Sequence, residues 1–168
     1  LKAIMNGADI NVSGRFGNTN GSAMRISPIG LIHGLRGSSC EDLVKDVYQT
    51  CLPTHNTTVC VSTAAAIAWG IAVCVRGEKD IETIVGETMK AADIGYQYGY
   101  PIVSPSVSTR IAFVYDLVKK ANGYQDAMEQ IYAYFGGGDL AADSIPVAIG
   151  LFALGGGDPK KVIEYCVN

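Results

Sequence analysis

From Val59 to Val75 the chain carries no charged side chain, and Ser62, Thr63 and Gly70 are the main interruptions of its apolar character. A run of this kind has to leave water, either into a membrane or into the core of a fold. It falls short of the ~20 residues that a spanning helix needs, and it lacks flanking aromatic anchors. It therefore reads as a buried core helix, which needs other helices to cover it.

The rest of the chain supplies helices. From Ser22 the residues Ala23, Met24, Ile26, Ile29, Ile32 and Leu35 fall at helical spacing, with Pro28 either kinking that helix or sitting in its first turns. Ser39 to Leu52 reads as a helix with Ser39 as N-cap and Glu41 and Asp42 at the positive dipole end. Pro53 stops it. Thr54 then reads as N-cap of the long apolar helix, which runs to about Arg76 with Gly77 just past its end. Further helices are predicted over Asp80–Tyr98, Ser104–Ala121, Tyr124–Phe135 and Ala142–Leu154, and a last one starts at Asp158-Pro159. The first twenty residues are dense in Gly, Asn, Asp and Ser and read as an extended, turn-rich lead-in. No convincing strand remains. The expectation is an all-α fold of about eight helices in one domain, since 168 residues are too few for two ordinary ones.

Charge narrows the function classes. Thirteen Lys and Arg stand against sixteen Asp and Glu, a net charge of −3. There is no basic footprint for nucleic acid and no polybasic stretch for an anionic membrane. The five cysteines form no C-x-x-C pair, and no signal peptide precedes them. They read as reduced, mostly buried thiols of a cytoplasmic protein.

The most informative stretch runs from Arg15 through Gly17, Asn18, Thr19, Asn20, Gly21, Ser22, Ala23 and Met24 to Arg25. Gly17-Asn18 and Asn20-Gly21 tolerate positive φ. Successive turns of that type would gather backbone N–H groups into a nest just before a helix start, which suits an anion such as phosphate. Asn18, Thr19, Asn20 and Ser22 add polar groups for sugar hydroxyls. His55, in the first turn of the apolar helix, would feel the dipole and stay neutral. From spacing alone, the same residues also read as ordinary turns and caps. His33, mid-helix on an apolar face, reads as structural.

Together these residues resemble a family. Asn20-Gly21-Ser22-Ala23-Met24-Arg25, with Pro28 and Gly30, is similar to the N-G-[AGS]-[AS]-M-R-x-x-P-x-G signature of the ADP-ribosylglycohydrolases. Pro53-Thr54-His55-Asn56-Thr57 resembles the family's second segment. Ala142-Asp143-Ser144-Ile145-Pro146, followed by Gly157-Asp158-Pro159, resembles its third. The resemblance implies an all-α fold that hydrolyses a glycosidic bond to ADP-ribose, with ADP-ribosylated proteins as usual substrates. It also implies two Mg²⁺ (or Mn²⁺) ions held by acidic clusters. The implied substrate-binding residues are Gly17, Asn18, Thr19, Asn20, Gly21, Ser22, Ala23, Met24 and His55.

The departures matter too. The family's early Thr-Asp-Asp and late Gly-Asp-x-Asp-Thr segments do not occur, and neither Asp139 nor Asp143 matches them. No residue here is assigned to metal, and none to catalysis. The chain begins at Leu1 and ends on an apolar stripe through Val162, Ile163, Tyr165, Cys166 and Val167. Residues 1–168 therefore read as the central to C-terminal part of one ADP-ribosylglycohydrolase-like domain, inactive alone. Such a piece is expected to associate with itself or with the missing segments. The alternatives are a non-catalytic crystallin-like or ADP-ribose-binding relative, and nucleoside cleavage on the same fold.

Overall fold

The computed structural model describes residues 2–167. They form eleven helical segments: α1 (Lys2–Met5), α2 (Ile10–Ser13), α3 (Gly21–Met24), α4 (Ser27–Arg36), α5 (Cys40–Cys51), α6 (Thr58–Val75), α7 (Ile81–Gly95), α8 (Val107–Lys120), α9 (Tyr124–Phe135), α10 (Ala141–Leu154) and α11 (Pro159–Val167). Among the described residues there is no strand, only isolated bridges at Thr19–Leu140 and Thr57–Tyr100. Helices α4 to α11 are those expected from the periodicity. The lead-in is not extended throughout: it makes two one-turn helices, and Asp9 caps α2 by accepting from the Asn11 N–H at 2.9 Å. Leu1 and Asn168, the outer ends of the two terminal stripes, lie outside the described residues.

Two boundaries differ from expectation for identifiable reasons. The helix expected from Ser22 breaks at Arg25–Ile26. It restarts at Ser27 with Pro28 in the first turn, where a missing N–H costs nothing. The apolar helix starts at Thr58 rather than beside Thr54. Residues 56 and 57 do not join it because the backbone on either side of them is engaged elsewhere. The Asn56 N–H donates to Gly14 O (2.8 Å), the Thr58 N–H to Tyr100 O (3.0 Å), and the Tyr100 N–H to Asn56 O (3.0 Å).

Helix α6 is the centre. It passes the length and composition test for a membrane span, yet 78% of that window is buried inside the fold. Helices α3, α4, α5, α7, α8 and α10 all pack on it. Its surface is small, with Ala64, Ala65, Ala66, Ala68 and Ala72 fully buried, so neighbours approach its backbone. On α4, a Cβ at Gly30 would lie 2.5 Å from Ala68 O. The polar residues of α6 are mostly satisfied internally: Ser62 donates to Ala92 O (2.8 Å) and Thr63 to Val59 O (3.0 Å). At the far end Trp69 donates to Glu87 (2.7 Å), and the Arg76 guanidinium lies over its ring.

Helix α10 contains Pro146. Proline has no N–H for the carbonyl four residues back, which is that of Ala142. Arg110 of α8 fills the gap, donating to Ala142 O at 3.1 Å and pairing with the adjacent Asp143. The terminal apolar stripes are unevenly covered. Tyr165 stacks on Tyr124, whereas Met5, Ile163 and Val167 are exposed.

The close approach of α4 to α6 gives a paired test. Gly30→Ala places a methyl against an immovable carbonyl and should lower stability by about 1–3 kcal/mol. Gly86→Ala, on the exposed face of α7 where nothing lies within 4 Å, should raise it by about 0.5–1 kcal/mol. Urea unfolding of both variants checks the contrast.

Candidate functional site

Three segments far apart in sequence meet at the N-terminal end of α6. The loop from Gly14 to Gly21 lies between the Pro53–Thr57 turn and the start of α10. On one side, Thr19 Oγ1 lies 3.1 Å from His55 Nε2. On the other, the Asn20 N–H donates to Asp139 O (2.9 Å), the Ala141 N–H donates to Asn18 O (2.9 Å), and Asn20 Nδ2 donates to Ser144 Oγ (3.1 Å).

The structure corrects the physical reading of this loop. No non-glycine residue among those described has positive φ, and neither Gly17 nor Gly21 is among the glycines that do. There is no left-handed nest. Glycine is required for room instead. A Cβ on Gly17 would sit 2.3 Å from Thr54 O, and one on Gly21 would sit 2.9 Å from the His55 ring. The loop is flattened against the His55 turn, and bulk at either position would push the two apart.

His55 also differs in cause. It lies before α6, not in its first turn, so the helix dipole is not what keeps it neutral. Burial lowers its pKa first, and the neighbouring Arg25 guanidinium lowers it further. The ring is held at both ends: Nδ1 lies 2.8 Å from Thr54 Oγ1, which also accepts from Arg25 at 2.8 Å. Arginine only donates, so it takes none of the three hydrogens carried by the two hydroxyls and the neutral ring. Two contacts use two of those hydrogens. One is left over, on Thr19 or on Thr54 according to the tautomer, and is available to an acceptor oxygen.

The predicted residues divide by orientation. Asn18 and Met24 are exposed, while Thr19, Asn20, Gly21 and His55 are half-buried. Ser22 and Ala23 face inward: Ser22 donates to Cys60 O (3.1 Å), and Ala23 packs in the core. His33 is buried and bonded to Asp46 at 2.9 Å, a structural pair as expected. Sequence reasoning missed the partners that hold the loop. Thr57 Oγ1 donates to Gly17 O at 2.6 Å, and the Cys60 thiol lies 3.3 Å from both Gly17 O and Thr19 O. Burial keeps that thiol protonated by raising its pKa. Their i, i+3 spacing at a helix start is visible in the sequence, but nothing there says what they face.

A cleft of about 280 Å³ opens beside the loop, lined by Asn18, Val59, Ile102, Leu140, Arg110 and Asp143 among others. Its volume is near the low end of ligand sites, about 300–1,000 Å³. A second cleft of about 280 Å³, between α6, α7 and α10, is apolar almost throughout. The hydroxyl of Thr88 there is turned back to Val85 O (2.7 Å), so nothing orients a ligand. Among the described residues, no three of His, Cys, Asp or Glu come together to hold a metal. Asp143, the carboxylate at the candidate cleft, is paired with Arg110. The residues present do not fit a two-metal centre.

Two outcomes follow from this arrangement. Arg110→Met strips the Ala142 carbonyl and Asp143 of their partner and should cost about 1–3 kcal/mol. Adding Pro146→Ala restores an N–H for that carbonyl and should recover part of the loss, a coupling readable by a double-mutant cycle of unfolding free energies. The lowered pKa of His55 fixes a sign as well. Below its ordinary value of 6.5 the unfolded chain takes up the proton first, so stability should fall as pH drops through and below that point. His55→Gln should flatten this part of the pH–stability curve, measured by thermal melts from neutral to acid pH.

The family model described as ADP-ribosylglycohydrolase matches residues 1–168. A curated relative, the uncharacterized protein YegU of Escherichia coli (strain K12), is 32% identical over 168 residues, covering 100% of this chain and 49% of that protein. The chain thus spans about half the length of that relative. Of its motif segments, those around Asn20, His55 and Asp143 meet at the loop, while Gly157 lies at the other end of α10, against Ile81 and Phe152. With the match running from its first residue to its last, the chain belongs to the ADP-ribosylglycohydrolase family of hydrolases.

Proposed function

We propose that this chain forms the substrate-binding part of a longer hydrolase that removes ADP-ribose from modified proteins. The observation that supports the reading is the hydrogen-bonded meeting of the Gly17–Met24 loop, His55 and the start of α10 at one place. Gly17, Asn18, Thr19, Asn20 and Gly21 present the loop to the ligand, the buried Ser22 and Ala23 anchor its helical end, and the exposed Met24 offers an apolar side chain beside it. The neutral His55 and its threonines offer a hydrogen to a ribose or phosphate oxygen without adding positive charge. Neutral hydroxyl and amide groups suit a polar, multiply oxygenated ligand.

The two Mg²⁺ ions implied by the family resemblance are assigned to no residue of this chain, and no step is routed through them. What these residues do is bind and orient. The glycosidic bond is broken in this reading by groups contributed from outside residues 1–168. Free thiols at all five cysteines suit a reducing, cytoplasmic setting.

The test uses the full-length protein with Mg²⁺, incubated with ADP-ribosyl-arginine, an ADP-ribosyl-serine peptide and nucleosides. Release of ADP-ribose from one of the first two, stopped by chelator and restored by Mg²⁺, is the expected result. The 168-residue chain alone should give no turnover. Binding of ADP-ribose by the full-length protein without turnover would make it a non-catalytic binder. Cleavage of nucleosides only would replace the substrate class, and failure to bind ADP-ribose would overturn the reading.

A further inference from the structure

Thr57 is the N-cap residue of α6, yet its side chain does not cap that helix. A threonine at this position ordinarily turns its hydroxyl back to an N–H two or three residues on. Here the hydroxyl leaves its own helix and donates to Gly17 O at 2.6 Å. One turn later the Cys60 thiol meets the same carbonyl and that of Thr19, both at 3.3 Å. Thr57 and Cys60 are fully buried, so both reach the half-buried loop from its inner side. Two side chains on one face of α6 therefore fix two carbonyls of the loop.

A fixed carbonyl fixes its peptide plane. There is no cis peptide among the described residues, and in a trans peptide the N–H points opposite to the C=O. With Gly17 O drawn down onto α6, the Asn18 N–H is turned away from it, beside the cleft that Asn18 lines. With Thr19 O drawn down, the Asn20 N–H points at Asp139 O, where the 2.9 Å bond to the start of α10 is made. The same two anchors thus direct one amide outward and lock the other into the bridge beside it.

We infer that Thr57 and Cys60 are positioning residues that set the peptide planes of the Gly17–Asn20 loop, so that its ligand-facing amide is held outward by contacts from beneath. The inference rests on the ADP-ribose reading only for the choice of ligand probe.

The test compares Thr57→Val, Thr57→Ser, Cys60→Ala and Cys60→Ser in the full-length protein. Valine keeps the methyl packing and removes the donor. Serine keeps the donor and removes the methyl. Affinity for ADP-ribose, by calorimetry, should fall about ten-fold in Thr57→Val and stay within about two-fold in Thr57→Ser, although Thr57→Ser melts at the lower temperature. Cys60→Ala should weaken binding, and Cys60→Ser should restore it. Affinities that follow melting temperature instead of the donor would make both residues mere packing and overturn the inference. Amide hydrogen exchange is read in parallel, with no ligand. Thr57→Val and Cys60→Ala should speed exchange of the Asn20 and Ala141 amides about ten-fold or more while the interior of α6 stays protected. If the unsubstituted protein does not bind ADP-ribose, the functional reading fails and exchange alone decides the positioning role. Unchanged exchange at Asn20 and Ala141 in both variants overturns it.

Discussion

An uncharged helix surfaced with alanine can be approached from every side, and that approach decides where everything else in this chain must go. Large side chains on α6 would have held α4 and α7 at ordinary interhelical distances. Instead Ala64, Ala65, Ala68 and Ala72 let the backbones close in, with Gly30 of α4 against a carbonyl of α6. The connections that reach the N-terminal end of α6 are then confined to a small area. There the backbone of the 54–57 turn serves as a template, pairing with Gly14 on one side and Tyr100 on the other. The candidate site is a consequence of this crowding. Its loop lies against the turn because glycine at 17 and 21 admits the Thr54 carbonyl and the His55 ring, and Thr57 and Cys60 hold its carbonyls from beneath.

The loop shows how two routes to the same sequence pattern can be separated. Glycines beside asparagines suggest left-handed turns, and a left-handed nest would have presented several amides at once. The observed loop keeps ordinary φ values and uses glycine to admit the Thr54 carbonyl and the His55 ring. Its amides are aimed by what grips its carbonyls. These two designs respond differently to substitution. A nest fails when φ is restricted at glycine, whereas a gripped loop fails when the buried donors beneath it are lost. Thr57 is the clearest mark of the second design, because it forgoes the capping bond that its position offers.

Much of this was legible in the sequence, and the parts that were not share a cause. Helical periodicity identified α4 through α11, and Ser39 and Asp80 cap as their types suggest. The start of α6 was misplaced because Thr54 resembles a cap, while the true boundary is set by hydrogen bonds to Gly14 and Tyr100, residues distant in the chain. For His55 the sequence suggested a helix dipole disfavouring the charged ring; its pKa is lowered, but by burial first and by Arg25. The short helices α1 and α2 were hidden in turn-forming composition. For α6 and His55, local sequence reported the residue's own preference and a long-range contact supplied the decision.

Pro146 carries the last consequence. A proline within α10 leaves the Ala142 carbonyl without its helical donor, and Arg110 reaches across from α8 to supply one while pairing with Asp143. Arg110 is the cationic side chain among those lining the candidate cleft, and both the repair and the ion pair hold it in place. Its charge is already balanced by a carboxylate, so it offers an incoming anion little net attraction. The His55 ring is kept neutral by the surroundings that hold it. In the proposed reading, recognition on this face falls mainly to amides and hydroxyls, which select by geometry, with the Arg25 guanidinium beside His55 as the nearby positive charge. In the proposed hydrolase, the strong electrostatic groups that a diphosphate and a developing sugar cation require would stand opposite this wall. In that reading a rigid face rich in amides and hydroxyls, with the Arg25 guanidinium beside its His55 ring, aligns the ligand, and the charge that drives the chemistry is concentrated where the bond breaks.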